Sequence, residues 1–438
     1  MNSRYDALII GAGVAGATAA ILLAQAGWSV AIVEKHRFPR RKVCGECIAA
    51  SNLPLLEALG IGAVFERLAG AQLRRVGLFV GDDMLIAELP GYAHPVHRWG
   101  RALGREHLDT LLLQRAADCG ASVWQPWTVR TLTRTGDRHE CAMKALDSDR
   151  EATLSATLLI DAHGSWESLP SGVAARPAGT WRAADIEEPA LRTPPRGSDL
   201  FAFKGNFKGA DLDADLLPVL AFPGGYGGMV KAADDELTIA CCIRRDALQA
   251  IRAKAAGERA AHAVQRHLQA SCRGVREALR GARQHNAWLS VGPIRPGIRE
   301  AADAGGRFAI GNAAGEAHPI LGEGISMAIQ SAWLLCTSLL SAPNADASAC
   351  NNAGMAATYR SAWQRSFSGR IRTASIFSQL AMRPTAASAL LPVLRRWPRL
   401  LSVGARLGGK VSCAVDADAW QPRAIANSMA ISTGAQRS

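Results

Sequence analysis

Long uninterrupted apolar runs are absent from this sequence of 438 residues. Glycine, proline or a charged residue interrupts every apolar stretch before about 18 residues, the length at which a membrane-spanning helix becomes the natural interpretation. No segment with the layout of a cleavable signal precedes the first apolar run. We therefore expect a cytoplasmic protein without a transmembrane helix.

Cysteine is also scarce, with ten residues at irregular spacings. So few cysteines in a long chain do not make a disulfide scaffold and are typical of reduced thiols. The exception is the sequence Cys44-Gly-Glu-Cys47. A zinc site would need a second pair, and a thioredoxin-like redox motif would need a different setting. Free thiols are the main interpretation, a disulfide is the alternative, and no metal site is predicted.

Acidic residues are few towards the C-terminus. The formal charge of the chain is +12, and residues 365 to 438 hold eleven Arg or Lys against two Asp. Charge confined to one end is a property of that segment and argues against a nucleic-acid-binding protein. A peripheral contact of the basic region with anionic lipid or an acidic partner stays open, and a solvated helical cap is the plainer alternative.

Glycine, in contrast, is abundant and is placed where a nucleotide would bind. The apolar run from Ala7 to Ile10 leads into the complete Gly-x-Gly-x-x-Gly motif of Gly11, Gly13 and Gly16, and an alanine-rich helical stretch follows. The first glycine permits a tight turn, the second lets the backbone approach a pyrophosphate, and the third allows close packing of helix and strand. The N-terminus of the helix then offers N–H groups to the negative charge.

A second apolar run, Trp28 to Val33, ends in Glu34. A carboxylate about 20 residues beyond the glycines accepts the hydroxyls of an adenosine ribose and repels a 2′-phosphate. Strand, helix, strand and terminal acid together predict a dinucleotide-binding unit, with a glycine turn that binds no nucleotide as the alternative. These residues are equally compatible with FAD and NAD.

The basic loop from Lys35 to Cys47 follows this unit directly. Arg40 and Lys42 can offset the charge of a pyrophosphate, and Gly45 lets the backbone approach a flat ring. We therefore predict that the loop contacts the cofactor, with a solvated basic loop as the alternative.

This loop carries a resemblance to a known family. The pattern Phe38-Pro39-Arg40-x-Lys42-x-x-Gly45-Glu46, continued by Pro54-x-x-Glu57-x-x-Gly60, resembles the loop after the second strand of FAD-dependent monooxygenases and halogenases. Lys42-x-Cys44-Gly45 is also similar to the geranylgeranyl reductase branch of the same p-hydroxybenzoate hydroxylase-like superfamily. The resemblance implies FAD as the bound dinucleotide, with Lys35, Arg40 and Lys42 as cofactor contacts. It also implies that Cys44 and Glu46 lie close to the flavin as catalytic candidates.

Two later segments match the same family. Arg105-Glu-His-Leu-Asp109 resembles its Arg-x-x-Leu/Phe-Asp helix, which implies that Arg105 reaches the FAD, with a solvent salt bridge as the alternative. In Asp161-Ala-His163-Gly, His163 occupies the place of an aspartate near the FAD. The resemblance thus makes His163 a cofactor contact with an altered role in flavin reduction, and a hydrogen-bonded structural histidine is the alternative.

The last matching segment contains Gly311-Asn312-Ala-Ala and, further on, Gly322-Glu-Gly324. It is similar to the family's Gly-Asp-Ala-Ala … Pro-x-x-Gly-x-Gly segment, with Asn312 in place of the aspartate. The resemblance implies that these residues bind the cofactor and that Gly324 opens a helix whose N-terminus faces the reduced flavin. Asn312 can still hydrogen-bond a ribityl hydroxyl, although without charge assistance.

Four glycines surround Tyr226 in the segment from Phe222 to Met229. The segment resembles the Pro-x-Gly-Tyr-x-Trp segment of geranylgeranyl reductases, but Gly228 replaces the tryptophan. This replacement counts against a prenyl reductase and enlarges the pocket. Tyr226 is predicted to contact the substrate, with a simple β-hairpin turn as the alternative.

The resemblance covers Met1 to about Leu340 and implies an α/β fold with three parts. These are a discontinuous Rossmann-type FAD-binding domain, a smaller mixed β-sheet substrate domain and a helical C-terminal cap. The predicted ranges are 1–70, 98–171 and 286–345 for the first, 71–97 and 172–285 for the second, and 346–438 for the third.

The implied function is that of an FAD-dependent oxidoreductase, in the first place a monooxygenase. It would hydroxylate an aromatic or polyketide-like hydrophobic substrate, free or tethered to a carrier or peptide, with electrons from NAD(P)H or a separate reductase. Double-bond reduction of the geranylgeranyl reductase type is the main alternative. Halogenation is weaker because the Trp-x-Trp-x-Ile-Pro motif is missing. An inert flavin-binding scaffold, favoured by His163 and Asn312, is the alternative without catalysis.

Overall fold

The computed structural model describes residues 2–165, 194–255, 257–303, 305–341, 347–417 and 420. The strands, in chain order, are β1 (Asn2–Ile10), β2 (Val30–Val33), β3 (Cys47–Ile48), β4 (Arg75–Val80), β5 (Asp83–Glu88), β6 (Arg101–Ala102), β7 (Ser122–Trp124), β8 (Trp127–Thr135), β9 (Arg138–Ala145), β10 (Glu151–Asp161), β11 (Leu200–Lys208), β12 (Leu216–Phe222), β13 (Gly225–Lys231), β14 (Glu236–Arg244), β15 (Arg283–Gln284), β16 (Leu289–Ile294), β17 (Gly297–Ile298), β18 (Arg307–Ala309) and β19 (Gly315–Glu316). The helices are α1 (Val14–Gln25), α2 (Leu53–Ala58), α3 (Gly62–Leu68), α4 (Arg105–Asp118), α5 (Arg245–Lys254), α6 (Ala260–Ser271), α7 (Arg273–Ala278), α8 (Gly324–Leu340), α9 (Ala347–Cys350), α10 (Ala353–Ala381), α11 (Pro384–Arg396) and α12 (Arg399–Leu407).

The first sheet contains the predicted dinucleotide-binding unit. Its strand order is β7-β2-β1-β10-β9-β8, and β18 lies beside β10. β7, β2, β1, β10 and β18 run parallel to one another. β9 pairs antiparallel with both β10 and β8. The apolar runs that were predicted as the first two strands are buried in β1 and β2, as is typical of parallel strands covered on both faces. The Rossmann-type fold class is confirmed.

Two predicted elements are each divided in the structure. The sequence from Val123 to Leu132 predicts a single strand, but the structure has β7 followed by β8 with Pro126 between them, because proline cannot donate to a strand ladder. The sequence from about Asp246 to Ser271 predicts a single helix, but the structure has α5 followed by α6. Gly257 lies between these helices with φ +85°, a left-handed conformation that ends a helix.

The second sheet has the order β15-β11-β14-β13-β12-β4-β5, and β16 also pairs with β11. The hairpin β4–β5 joins it through a parallel pairing of β4 with β12, so the antiparallel insertion predicted over residues 71–97 belongs to this sheet. β16 carries the sheet past the predicted boundary at residue 285. The other predicted boundary, at residue 171, lies outside the described residues.

The two faces of the second sheet have different surroundings. Because side chains alternate along a strand, Phe203 and Phe207 of β11 pack with Val264 of α6 in an apolar cluster. Ala202 points to the other face and lines a cavity. Lys204 and Asn206 share the parity of Ala202, so two polar side chains lie on the cavity side of an otherwise apolar strand.

The C-terminal helices rest on both sheets. α10 packs against α8 of the first domain and buries Tyr359, Trp363, Phe367 and Ile371 at helical spacing. α11 contacts β12, and α12 contacts β4 and β5. None of the described helices combines the length and the apolar character needed to cross a membrane.

We expect that a side chain at Gly16 disrupts the turn that opens α1. A Cβ built on Gly16 would lie 1.9 Å from the backbone oxygen of Gly11, so Gly16→Ala should lower the free energy of unfolding by about 1–3 kcal/mol. Gly369 is the matched control, because it is exposed within α10 and a Cβ there meets no atom within 4 Å. Gly369→Ala should raise the free energy of unfolding by about 0.5–1 kcal/mol.

Thermal unfolding followed by circular dichroism measures both variants. Equal midpoints for Gly16→Ala and the unmodified chain would contradict the close packing at this turn.

Candidate active site

A cavity of about 640 Å³ lies between the glycine turn of the first sheet and the second sheet. It is lined by ten of the residues predicted as site residues, namely Gly13, Lys42, Cys44, Glu46, Arg105, Tyr226, Gly311, Asn312, Gly322 and Gly324. Six others do not line it: Gly11, Gly16, Glu34, Lys35, Arg40 and His163. Residues from distant parts of the chain therefore meet at one site.

The glycine turn forms a close-packed cradle at one end of this cavity. Gly11 has φ +99°, and a Cβ there would lie 2.4 Å from the backbone oxygen of Ala162. Gly13 and Val14 face the cavity at the start of α1, so the first N–H groups of the helix are presented to it. This arrangement is the one that binds a pyrophosphate.

Glu34 is buried at the end of β2, beside the glycine turn. Its Oε2 accepts a hydrogen bond of 3.0 Å from the backbone N–H of Ala12, and its Oε1 accepts one of 2.8 Å from that of His36. A carboxylate has about four acceptor positions, so two remain for other donors. The ribose contact of Glu34 stays a prediction.

Arg40 and Lys42 of the basic loop form no ion pair with a carboxylate among the residues that the structure describes. The Nε of Arg40 is buried and has no hydrogen-bond partner among the described residues. Lys42 is half-buried, and burial, together with the charges of Arg105 and Arg40, lowers its pKa to about 8. An anion bound here would supply the missing partner, so both cations fit the predicted cofactor phosphates. Lys35 does not line the cavity.

Arg105 forms a buried ion pair at the start of α4. Its Nε and Nη2 donate hydrogen bonds of 2.7 Å to the two carboxylate oxygens of Asp109. The Asp109 side chain is 1% exposed, so the pair is not the solvent salt bridge that was the alternative. The Nη2 of Arg105 lies 3.7 Å from the position that a Cβ would take on Gly13. The guanidinium is thus held in place beside the cradle.

Glu46 is committed to a buried polar network. Its Oε1 accepts a hydrogen bond of 2.9 Å from the backbone N–H of Arg105 and contacts the Nζ of Lys204, and its Oε2 accepts one of 2.7 Å from Thr238. The side chains of Glu46 and Lys204 are 1% and 0% exposed. Because each carboxylate oxygen already has a donor, we revise the predicted catalytic role of Glu46 to a positioning role. It ties the basic loop to β11 and β14.

Sequence reasoning missed Lys204. The signal was present, since a lysine in the apolar strand Leu200–Phe207 needs a buried anion as its partner. Asn206 makes a second link between the basic loop and the second sheet. It accepts a hydrogen bond from Arg41 and donates one of 2.9 Å to Thr238.

Removal of the Lys204 cation should destabilise the protein strongly. In Lys204→Met the Glu46 carboxylate stays buried without its ion pair, and the expected loss is about 3–5 kcal/mol in the free energy of unfolding. The double variant E46Q/K204M should recover part of this loss, because it removes the unpaired charge. Denaturant unfolding measures both.

Lys208→Met, at the end of the same strand, is the matched control and should cost about 1 kcal/mol or less. A loss of that size for Lys204→Met would contradict the buried ion pair.

Cys44 and Cys47 are free thiols of the basic loop. The Sγ of Cys44 accepts a hydrogen bond of 3.4 Å from the backbone N–H of Glu46. The Sγ of Cys47 lies 3.6 Å from the Nζ of Lys410. Both thiols line the cavity, and the catalytic role of Cys44 stays a prediction.

Lys410 was not predicted as a site residue, because the basic segment around it was interpreted as a solvated cap. Its Nζ donates a hydrogen bond of 3.4 Å to the backbone oxygen of Gly322. Burial would lower the pKa of Lys410, but Cys47 and the Glu323 carboxylate outweigh burial and raise the pKa. Lys410 is therefore a half-buried cation beside Gly322.

The segment from Gly311 to Gly324 brings its backbone to the cavity. Gly311 has φ +58°, and its N–H donates a hydrogen bond of 2.8 Å to Ser331. Gly322 has φ +62° and ends the turn that leads into α8 at Gly324. The N-terminus of α8 and the Lys410 ammonium thus bring positive charge to the same place.

Asn312 lines the cavity and is held by two neighbours. Its Nδ2 donates hydrogen bonds of 2.7 Å to Ser165 and of 3.4 Å to Glu316. The amide of Asn312 is thus positioned at the cavity wall, and its ribityl contact stays a prediction.

His163 is not among the described residues that line the cavity, and its cofactor contact stays a prediction. Its Nδ1 hydrogen-bonds Asp161, which also accepts a hydrogen bond of 2.9 Å from Arg307. Burial would raise the pKa of Asp161, but the hydrogen bond and charge of His163 and the charge of Arg307 outweigh it and lower the pKa. The imidazole hydrogen-bonds this buried carboxylate, as the alternative interpretation of a structural histidine requires.

Tyr226 lies within strand β13 and not in a turn, which corrects the alternative for this segment. β13 pairs with β12 and β14, and a Cβ on Gly227 would lie 2.7 Å from the backbone oxygen of Ala240. The glycines therefore permit close strand contact, a reason that local turn patterns do not reveal.

The Tyr226 hydroxyl is held by a buried histidine. It lies 3.1 Å from the Nδ1 of His318. Burial raises the pKa of Tyr226 and lowers the pKa of His318 to about 4. His318 is therefore neutral at pH 7, and we assign the hydroxyl as the donor to its Nδ1. Tyr226 lines the cavity, and its contact with the substrate stays a prediction.

FAD affinity should depend on pH through Lys42. Because its pKa is about 8 and a nearby phosphate raises that pKa, binding takes up a proton. Affinity should be constant well below pH 8 and should fall by up to tenfold per pH unit above it. Titration of apoprotein with FAD, followed by flavin fluorescence at each pH, measures this dependence.

Lys42→Arg should remove the dependence, since arginine keeps its charge. Lys35→Arg, outside the cavity lining, is the matched control and should retain it. The same pH profile in Lys42→Arg and the unmodified chain would contradict a phosphate contact of Lys42.

Comparison with known proteins agrees with this geometry. Residues 4–350 match the model of a family described as FAD binding domain. A menaquinone reductase of Mycolicibacterium smegmatis is 26% identical over 439 aligned residues, which cover 97% of this chain and 95% of the relative.

Two solved structures show the same fold. One is the FAD-dependent chondrochloren halogenase CndH of a myxobacterium, with a TM-score of 0.70, 18% identity and coverage of 92% of this chain and 91% of that one. The other is PqsL of Pseudomonas aeruginosa, a probable FAD-dependent monooxygenase, with a TM-score of 0.64, 18% identity and coverage of 89% and 100%.

Proposed function

The chain belongs to the FAD binding domain family and is an FAD-dependent oxidoreductase, and from this premise we propose that it is a monooxygenase. The proposed reaction is the hydroxylation of a large, uncharged, aromatic or polyketide-like substrate with O₂. The proposed electron donor is NAD(P)H or a separate reductase. The proposed location is the cytoplasm, where the free thiols would stay reduced.

The character of the cavity carries this proposal. The part of its lining that comes from the second sheet has no ionised side chain among the described residues and consists of aliphatic groups, glycines, thiols and Tyr226. The charged lining residues, which are Lys42, Glu46, Arg105, Glu316 and Lys410, all come from outside the second sheet. An apolar wall with a few fixed polar groups is typical of a site for a hydrophobic small molecule.

FAD would supply electron transfer and the reaction with O₂ when bound. The start of α1, Arg40 and Lys42 would hold its phosphates. The N-terminus of α8 and Lys410 would present positive charge at Gly322, where they can stabilise negative charge. The protein thus contributes binding, orientation and a fixed electrostatic field.

Tyr226 and His318 would orient the substrate. Because the tyrosine proton is donated to Nδ1 of His318, the phenolic oxygen keeps its acceptor positions for a substrate hydroxyl. With a pKa of about 4, His318 is a weak base at neutral pH. The pair therefore holds its proton and positions the substrate rather than removing a proton from it.

Double-bond reduction is the second candidate. It is supported by the nearly complete coverage of a menaquinone reductase and by an apolar cavity that suits an isoprenoid chain as well as an aromatic ring. This reaction adds two hydrogens to the substrate and consumes no oxygen.

Isotope labelling separates the two candidates. The holoenzyme is reduced chemically without air and mixed with a panel of alkylphenols and prenylquinones, either under ¹⁸O₂ or under argon. The monooxygenase predicts a product that carries one ¹⁸O atom and is absent under argon. A product with two added hydrogens that forms under argon would contradict it, and flavin-free protein without turnover would support the inert scaffold.

The orienting role of Tyr226 is tested with the substrate that turns over. For a phenolic substrate, Tyr226→Phe should lower kcat/KM by about fivefold to tenfold, the effect of one lost hydrogen bond. The O-methylated substrate should show no such loss. Tyr92→Phe, outside the cavity lining, is the matched control.

A further inference from the structure

The cavity opens onto an apolar surface formed by α11 and α12. Four residues of these two helices both line the cavity and are exposed, namely Leu390, Leu400, Val403 and Leu407, with exposed fractions of 41%, 43%, 48% and 60%. Val393 and Trp397, 40% and 55% exposed, extend this surface. We call these six residues the α11–α12 face. Since four of its six residues also line the cavity, the face borders the mouth of the cavity.

The α11–α12 face continues onto the second sheet. Met84 and Ile86 of β5 are 37% and 42% exposed, and β5 contacts α12. The hydroxyl of Ser402 donates a hydrogen bond of 2.6 Å to the backbone oxygen of Glu88, which fixes α12 on β5. A contiguous exposed apolar area of this kind marks an interaction surface, whereas single exposed apolar residues do not.

Positive charge surrounds this face. The sequence has no Asp or Glu between Asp346 and Asp416 but ten Arg or Lys residues. Arg396, Arg399 and Arg406 are exposed on α11 and α12, and no carboxylate pairs with them among the described residues. Arg395 pairs with Asp83 of β5 and so neutralises one acidic charge beside the α11–α12 face.

We propose that the α11–α12 face docks the protein on an anionic lipid bilayer, with the mouth of the cavity against the membrane. The apolar side chains would enter the boundary between headgroups and acyl chains, while Arg399 and Arg406 would contact lipid phosphates. A lipid-soluble substrate could then pass from the bilayer into the cavity without crossing water.

The charge pattern favours a bilayer over a second copy of the chain. In a two-fold contact the same surface patch meets itself, so Arg399 and Arg406 would approach the unpaired arginines of the other copy. Anionic headgroups provide the opposite charge, and the acyl region matches the apolar mouth. Docking follows from exposure and charge alone, whereas delivery of the substrate rests on the proposed function.

Vesicle flotation of the full-length holoenzyme tests the docking. We expect the protein to float with vesicles of equimolar phosphatidylcholine and phosphatidylglycerol and to remain unbound with phosphatidylcholine alone. Raised NaCl should release it, since headgroup attraction is screened by salt. Equal binding to both vesicles, or binding to neither, would overturn the proposal.

Variants locate the contact. Arg399→Gln/Arg406→Gln should weaken binding about fivefold per arginine and so on the order of 30-fold for the pair. Arg130→Gln/Arg252→Gln removes the same charge from exposed arginines elsewhere and should bind like the unmodified chain. Leu407→Ser should weaken binding about tenfold, whereas Ile298→Ser, at an apolar residue 42% exposed on β17, should not.

Unchanged vesicle binding in the α12 variants would overturn the assignment of the face. A dimer seen by light scattering without lipid, and broken by Leu407→Ser, would assign the face to a second copy and would also overturn the proposal. Neither readout needs turnover, so vesicle binding without ¹⁸O incorporation would refute only the proposed reaction. Incorporation without vesicle binding would refute only the docking.

Discussion

The buried ion pair between Glu46 and Lys204 is the interaction on which the geometry of the cavity depends. It joins a loop of the first domain to a strand of the second, across 158 residues of sequence. A carboxylate and an ammonium buried to this degree are stable only when each has its partner and further hydrogen bonds. The backbone N–H of Arg105 and the hydroxyl of Thr238 provide those bonds for Glu46. The basic loop is thereby held over the cavity.

This link explains why charged and apolar chemistry are separated in the cavity. On the first-domain side, the cradle, Lys42 and Arg105 collect positive charge where an anionic cofactor would bind. On the second-sheet side, Ala202 of β11 and the aliphatic side chains and glycines of the other strands face the cavity. Leucines of the C-terminal helices line the rest of the cavity. Lys410, which follows α12, adds a cation next to Gly322. One wall thus suits a charged dinucleotide and the other an uncharged substrate.

Features with a local cause were predictable from the sequence. The glycine turn, the helix after it and Glu34 at the strand end follow from contiguous residues, and the structure places them as expected. Features with a distant cause were not predictable. The ion pair of Glu46 depends on Lys204, and Lys410, which follows α12, lies beside Gly322 without belonging to a motif. Strand β13 was not predicted, because its glycines suggested a turn whereas they allow close contact with the neighbouring strands.

A crystal structure of the holoenzyme with FAD tests the central assignment most directly. The assignment predicts the pyrophosphate at the N–H groups of Gly13 and Val14, and the flavin ring between the Gly322 turn and the sheet that carries Tyr226. A pyrophosphate bound away from α1, or a flavin ring separated from Tyr226 by the protein backbone, would contradict it.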